Sequence, residues 1–153
     1  MISISKDSCS QINSSIPTLP KALCKAGGTQ LPNGDLLISG GYNYCSNRRM
    51  TGQRYIFRHC KDGSNQWKRV GTIMKRPKYG HSSVFIDGSL FTSDGHTDRF
   101  SIISNHEEFS ISRGIKERKE MPIALSDHTA TVFGKDTILI CGGLDSEVSK
   151  TFP

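Results

Sequence analysis

The stretch LPNGDLLISGG at residues 31–41 contains a short apolar strand that ends in two glycines, and it decides how the rest of the chain is interpreted. Two later stretches repeat it: FIDGSLFTSDG at residues 85–95 and VFGKDTILICGG at residues 132–143. Each has an apolar run, a polar turn with Gly or Asp, a second apolar run and a final glycine. The final glycines lie about 50 residues apart, which is the spacing of a repeated structural unit.

The residues that precede each hairpin also align. Counting back from Gly41, Gly95 and Gly143 brings three residues into register, namely Pro20, Met74 and Met121. Seven positions later, the second and third units place a histidine before a small-residue strand, and the first unit places a glycine there. These three residues are His81, His128 and Gly27. The repeat therefore extends well beyond the glycine exits.

This arrangement resembles the kelch repeat, in which a strand ending in di-glycine is followed by an aromatic strand and a tryptophan strand. RYIF at residues 54–57 and RFSII at residues 99–103 would be the aromatic strands, and Trp67 lies on the next strand. The second unit departs from the pattern, with Asp94 in place of the first glycine and Gly114 where the tryptophan would fall. The resemblance implies an all-β fold of kelch-type β-propeller blades, each a four-stranded antiparallel sheet.

The chain of 153 residues is short for such an architecture. Closed propellers have about four to eight blades, and here we expect about two blades and the opening hairpin of a third. We therefore predict an incomplete propeller, with kelch repeats over residues 17–153, completed by missing sequence or by another chain. Residues 1–16 would be the end of a preceding blade or a disordered start.

The formal net charge of +6 permits contact with nucleic acid or with an acidic partner. Lysine and arginine are scattered, and most are expected on solvated loops. Two groups fall at comparable places in successive units and would form a positive strip if both faced the same way. The members of this predicted strip are Arg69, Lys75, Arg76, Lys78, Lys116, Arg118 and Lys119.

The five cysteines lack the spacing of a disulfide framework or a zinc site. Cys141, inside the apolar run TILIC, is expected to be a small core residue. No apolar stretch approaches the length of a membrane span, and no secretory signal is visible. We therefore expect no membrane partner and a reducing, cytoplasmic location.

No arrangement of residues predicts a catalytic, cofactor-binding or metal site. His81 and His128 are interpreted as structural histidines whose ring nitrogens bond loop backbone. The other histidines lack acidic or thiol partners at the spacing of metal ligands. Whether the chain belongs to an enzyme stays open at this point.

Function is instead expected in the loops, which collect on one face of a repeat array. The longest inter-strand segment, residues 42–53, carries Tyr42, Tyr44, Arg48 and Arg49. Tyr and Arg are frequent anchors of protein interfaces. This segment is either a partner-binding loop or an ordinary solvated loop.

Two functions follow, from different classes. The first is a non-catalytic kelch-repeat module that binds a protein partner through its loops. The second rests on a resemblance of the run from IPTLPKALCKAGG to FSIISNHEEFSI to the C-terminal kelch region of leucine carboxyl methyltransferase relatives that complete wybutosine on phenylalanine tRNA. That resemblance implies S-adenosylmethionine as the methyl donor of the full protein and a propeller that helps to hold tRNA.

Overall fold

A computed structural model describes residues 2–4, 9–11, 18–43, 49–50, 53–58, 66–72, 74–97, 101–110 and 112–145. These residues form strands and connecting turns, and none of them belongs to a helix that could cross a membrane. All the sheets are antiparallel, so the predicted all-β class is confirmed. The strands in chain order are β1 (Ile2–Ile4), β2 (Cys9–Gln11), β3 (Gly27–Gln30), β4 (Leu36–Ser39), β5 (Tyr42–Asn43), β6 (Arg49–Met50), β7 (Gln53–Arg58), β8 (Gln66–Thr72), β9 (Ser82–Ile86), β10 (Ser89–Ser93), β11 (His106–Ser110), β12 (Gly114–Glu117), β13 (Leu125–Ser126), β14 (Thr129–Phe133), β15 (Thr137–Cys141) and β16 (Leu144–Asp145).

The first unit is a four-stranded sheet in the order β3-β4-β7-β8. Its first hairpin turns at Asn33–Gly34, where Gly34 has a φ of 87° and Leu31 N donates to Asp35 O at 2.8 Å. The predicted aromatic strand is β7, in the third place of the sheet. Trp67 lies on the outermost strand β8 and is only partly buried.

The second unit is a four-stranded sheet in the order β9-β10-β11-β12. Its third strand is β11, so the predicted aromatic strand at residues 99–103 does not occupy the third place of this sheet. That prediction followed the β-propensity of RFSII, whereas β11 contains two glutamates, Glu107 and Glu108, which intrinsic propensity disfavours in a strand. Cationic partners, described below, stabilise both buried carboxylates. Within residues 99–103 the structure describes only 101–103, where Ile102 forms a single bridge to His96.

The third unit is represented by the hairpin β14–β15 and by the short pair β13–β16. The hairpin has the register of the two earlier ones, with Thr129 opposite Cys141 and Phe133 opposite Thr137. Cys141 is exposed, which corrects its predicted place in the core. At the other end of the chain, β1 pairs with β2.

The glycine exits of the three units adopt one conformation. Gly41, Gly95 and Gly143 have φ values of 85°, 101° and 99°, which only glycine adopts without strain. The residues before them also have positive φ, and they are Gly40, Asp94 and Gly142. The predicted equivalence of these exits is confirmed, including the position where aspartate replaces glycine.

One detail of the predicted register changes. Gly27 pairs with Ser39 as Ser82 pairs with Ser93, so Gly27 is the counterpart of Ser82. The residue of the first unit that corresponds to His81 is therefore Ala26. Leu19, and not Pro20, is therefore the residue of the first unit that corresponds to Met74.

The units pack side by side through their first strands, because β3 and β14 both contact β9. The buried apolar core between the first two units consists of Leu37, Met74 and Leu90, with Leu31, Phe85 and Phe109 packed against it. Met74, one of the residues that the repeat brought into register, is fully buried. Many of the other buried side chains are polar.

Candidate interaction surface

The strands of each unit run between two edges of the array. The exit rim carries the glycine exits and the segments that follow them, including Tyr42 and His96. The turn rim, at the opposite ends of the strands, carries the hairpin turns at Gly34, Gly88 and Gly134. The predicted partner-binding segment lies on the exit rim.

The predicted segment, residues 42–53, is partly a two-stranded ribbon, because Tyr42 pairs with Met50 and Asn43 with Arg49. Tyr44, Arg48 and the side chain of Arg49 lie outside the described residues. Tyr42 is half-buried. Its ring, the one predicted anchor whose side chain is described, packs against residues of the second unit.

An aromatic group joins the first two units on the exit rim. The Tyr42 ring meets the Tyr79 ring edge to face, with centroids 4.9 Å apart and planes at 69°. Tyr79 in turn stacks on the His96 ring at 4.9 Å and 14°. All three side chains are half-buried, so each presents part of its surface to solvent. We call Tyr42, Tyr79 and His96 the aromatic group.

Backbone bridges hold the aromatic group in place. Cys24 and Tyr42 exchange two backbone hydrogen bonds, at 2.9 and 3.1 Å, and Tyr79 and His96 exchange two at 3.1 and 2.8 Å. The bridges are equivalent, since Tyr42 and His96 each follow an exit glycine. The rings are therefore pre-ordered, and binding through them would lose little conformational entropy.

Beneath the rim, a buried ion pair lies where a surface cation was predicted. Lys78 is fully buried, and its Nζ lies 3.3 Å from Glu107 Oε2 and donates to Asn105 Oδ1 at 3.1 Å. Glu107 Oε1 accepts a hydrogen bond from Lys75 N at 3.0 Å. Burial lowers the pKa of Lys78, although the carboxylates of Glu107 and Asp94 oppose that change. Lys78 therefore contributes nothing to a positive surface strip.

His81 and His128 are structural, as predicted, but their ring nitrogens bond hydroxyls of the preceding unit and not loop backbone. His81 Nε2 is hydrogen-bonded to Ser39 Oγ at 3.0 Å, and His128 Nε2 to Ser82 Oγ at 2.8 Å. Burial, together with Lys78 and His128, lowers the pKa of His81 to about 3. The His81 ring is therefore neutral at ordinary pH and accepts or donates as an uncharged group.

Asp94 explains why the second unit departs from di-glycine. Its side chain is fully buried, and its Oδ2 accepts a hydrogen bond from Leu125 N of the third unit at 3.2 Å. Aspartate tolerates the left-handed conformation, with φ at 55°, better than most residues. Aspartate at this position lacks the conformational freedom of glycine, but it gains a hydrogen bond to the third unit.

Replacement of Asp94 by asparagine should change how stability depends on pH. Burial raises the pKa of the Asp94 carboxyl from 3.8 to about 7, against the opposing effects of the Leu125 hydrogen bond and Lys78. The folded state therefore holds this proton more tightly, and its contribution to stability is lost as pH rises from about 4 to about 7. An amide side chain cannot titrate, so Asp94→Asn should gain stability relative to the parent across this window.

Urea unfolding of both proteins at several pH values, followed by Trp67 fluorescence, measures this difference. His81 acts in the opposite direction, since its lowered pKa makes stability rise with pH between about 3 and 6.5. That effect is common to both proteins and cancels in the difference. Parallel stability curves for Asp94→Asn and the parent would contradict the protonated Asp94.

The predicted positive strip is interrupted by carboxylates. Arg118 Nε donates to Glu108 Oε2 at 2.7 Å, and Lys75 Nζ lies 3.1 Å from Glu117 Oε2. Glu108 also pairs with Arg113 at 3.1 Å. Hydrogen bonds from Ser89 and Arg118 lower the pKa of Glu108 despite its burial, so it stays ionised. Together with buried Lys78, these contacts involve three of the seven cations of the predicted strip.

The structure brings serine and histidine together without an open site. The pairs Ser39–His81 and Ser82–His128 have the contacts of a nucleophile and a base, but Ser39 is 0% and His81 5% exposed, so no substrate could reach them. An open polar cleft of about 480 Å³ lies elsewhere, lined by residues that include Arg76, Ile102 and Glu120. In the part of the chain that the structure describes, no three His, Cys, Asp or Glu side chains gather as metal ligands.

Comparison with known proteins adds to this geometry. The chain is similar to the solved structure of YjhT, with a TM-score of 0.69 and 16% identity, over 88% of this chain and 38% of that one. It is also 28% identical over 120 residues to the Rho GTPase-activating protein gacHH of Dictyostelium discoideum, spanning 76% of this chain and 8% of the relative. No protein-family model matches. The structural likeness supports a propeller-like fold.

Sequence reasoning missed two of the three aromatic side chains. His96 was considered only as a metal ligand, and Tyr79 was not considered. A signal was present, because Tyr42 and His96 occupy the position after an exit glycine in successive units. Tyr79 corresponds to Cys24 and Ser126 and lies between those two exits, so its contacts depend on how the units pack.

Proposed function

We propose that the chain is part of a kelch-type β-propeller and serves as a non-catalytic module that binds a protein partner through the loops of its exit rim. The three equivalent units, their glycine exits and the likeness to YjhT support the propeller. Free thiols at Cys24 and Cys141 support the proposal of a cytoplasmic location.

The observation that carries the proposal is the aromatic group. Tyrosine offers a large apolar ring with a polar end, and it is enriched among the residues that dominate interface energetics. The rings of Tyr42, Tyr79 and His96 are held by backbone bridges and by each other, yet all remain partly exposed. Such a rigid and partly apolar surface suits a protein partner.

The alternative is the propeller portion of a wybutosine-synthesising methyltransferase that uses S-adenosylmethionine and binds tRNA. It requires cations that are free to approach several phosphates. Lys78 is buried against Glu107, and Lys75 and Arg118 are paired with Glu117 and Glu108. Three of the seven cations of the predicted strip are therefore buried or paired, which weakens the case for tRNA.

Site-specific photo-cross-linking in cells tests the proposal. A photoreactive phenylalanine analogue would replace Tyr42 on the exit rim, and in a matched control it would replace Lys135 on the turn rim. We expect a discrete cross-linked protein from position 42 only, and its loss when Tyr79→Ala is added. Equal products from both rims, or cross-linking to RNA alone, would contradict the proposal.

A further inference from the structure

The hairpin β14–β15 has one face with no covering layer among the described residues. Cross-strand partners share a face of a sheet, so the register assigns six side chains to this side. We call it the open face, and its members are Thr129, Thr131, Phe133, Thr137, Leu139 and Cys141. All are exposed, including Phe133 at 67% and Leu139 at 46%.

The corresponding faces of the first two units are covered by the next unit. In the first unit Leu37 is 3% exposed, and Ser39 Oγ contacts Ser83 Oγ of the second unit at 2.7 Å. In the second unit Val84 is 5% exposed, and Ser82 Oγ contacts His128 of the third. The open face is therefore the continuation of an interface that forms twice within the chain.

Backbone hydrogen bonds accompany each of the two internal junctions. At the first, Gly41 N donates to Lys78 O and Gly80 N donates to Lys25 O, both at 2.9 Å. At the second, Gly95 N donates to Leu125 O at 2.9 Å, and Asp127 N donates to Gly80 O at 2.8 Å. At each junction, one hydrogen bond is donated by an exit glycine. The other joins the loops that precede the first strands of the two units.

The two ends of the array hold the complementary halves of such a junction. Gly143 has the conformation of Gly95, but among the described residues neither its N–H nor the carbonyl of Asp127 has a backbone partner of this kind. At the other end, Leu23 O and Lys25 N occupy the positions of Leu125 O and Asp127 N. The N–H of Gly143 therefore matches the carbonyl of Leu23 as donor and acceptor. The carbonyl of Asp127 likewise matches the N–H of Lys25.

The first unit also presents the side-chain surface that would complete the contact. Its face away from the second unit carries the exposed Gly28 and Gln30 and the half-buried Leu36 and Ile38. These positions correspond to Ser83, Phe85, Leu90 and Thr92, which pack against the preceding unit. The same sequence therefore contains a partly apolar face of the right register.

We propose that the open face docks onto this face of the first unit of a second copy of the chain, head to tail. Each copy offers one open face and one first unit, so two copies form the same junction twice. The inference rests on the propeller architecture proposed above and is independent of any partner at the exit rim.

One polar detail favours a second copy as the occupant. At the internal junctions a histidine of the following unit reaches a hydroxyl, but the first unit has Ala26 in place of His81 or His128. On the open face, the Thr129 hydroxyl already donates to Cys141 O at 3.3 Å. It therefore needs no imidazole from the docking unit, and Ala26 leaves no polar group unsatisfied.

A disulfide trap tests the predicted register. Cys141 corresponds to Ser39 and Gly28 corresponds to Ser83, whose Oγ atoms lie 2.7 Å apart at the first junction. Gly28→Cys should therefore place a thiol against the native Cys141 of a second copy, close enough for a disulfide. A Cβ at position 28 would lie 3.3 Å from Ile38 Cδ1, which is the end of a flexible side chain and can shift by a few tenths of an ångström.

The trap would be made with the other four cysteines changed to serine, and with Gly28→Cys/Cys141→Ser as the matched control. Mild oxidation should give covalent dimers only when both thiols are present. The yield of covalent dimer should fall less on dilution than the yield expected from random collisions. Equal cross-linking in a variant that carries the new cysteine at position 34 on the turn rim would overturn the register.

Light scattering after size-exclusion chromatography tests the association without cross-linking. The parent chain should have twice the mass of the 16.9 kDa monomer. Phe133→Glu should return it to one chain without unfolding it, because Phe133 is exposed. Ile123→Glu, at a 56% exposed residue outside the open face, is the control and should leave the dimer intact. A monomeric parent, or a dimer that Phe133→Glu leaves unchanged, would overturn the proposal.

Discussion

Lys78→Met should lower the free energy of unfolding by about 3–5 kcal/mol, the cost of leaving one charge of a buried pair without its partner. Lys78 and Glu107 are 0% and 1% exposed, so water cannot solvate the carboxylate once the ammonium group is removed. Asn105 would also lose the hydrogen bond from Lys78. Urea unfolding followed by Trp67 fluorescence measures the loss.

An exposed ion pair in the same region provides the control for this prediction. Lys75 and Glu117 are about half exposed and lie 3.1 Å apart, and Lys75→Met should cost no more than about 1 kcal/mol. The double variant Lys78→Met/Glu107→Leu should recover much of the loss, because it removes the buried charge as well. Equal losses for Lys78→Met and Lys75→Met would mean that Lys78 is solvated.

Gly95→Ala should destabilise the protein by about 2–5 kcal/mol. The left-handed conformation costs a non-glycine residue about 1–2 kcal/mol, and crowding in a packed site adds about 1–3 kcal/mol. With φ at 101°, a Cβ at this position would lie 2.6 Å from Tyr79 O and 3.0 Å from His81 N. Both are backbone atoms at the junction between strands and cannot move aside cheaply.

Gly88→Ala separates the two contributions to this loss. Gly88 also has a positive φ, of 74°, but a Cβ there would meet no atom within 4 Å. Its replacement should cost only the conformational part, about 1–2 kcal/mol. Thermal unfolding of both variants beside the parent gives the comparison. A Gly95→Ala variant no less stable than Gly88→Ala would show that the exit does not pack against Tyr79.

The repeat itself could be predicted from local sequence. Turn dipeptides such as Asn33–Gly34 and Asp87–Gly88 fix hairpins through the φ values that their residues tolerate. The exit glycines recur because each must bring backbone close to a neighbouring loop. The edge strand at Gly114 follows from the same register. These features depend on residues near one another in the chain, so they could be predicted from sequence.

The third strand of the second unit could not be predicted in this way. Propensity favoured residues 99–103, but the strand is His106–Ser110. Its glutamates are stable there because Lys78 reaches Glu107, while Arg113 and Arg118 reach Glu108. Each of these partners lies on a different segment, and only the packed sheets bring them together.

By itself, the sequence determined an all-β chain of repeated hairpins with equivalent glycine exits, and it directed attention to Tyr42 on a loop. The tertiary structure decided that Tyr42 belongs to an aromatic group with Tyr79 and His96, and that Lys78 is a buried partner of Glu107. It also decided that, among the described residues, one face of the last hairpin has no covering layer. The physical reason is that turn conformation depends on adjacent residues, whereas burial, charge pairing and ring contacts depend on which units meet.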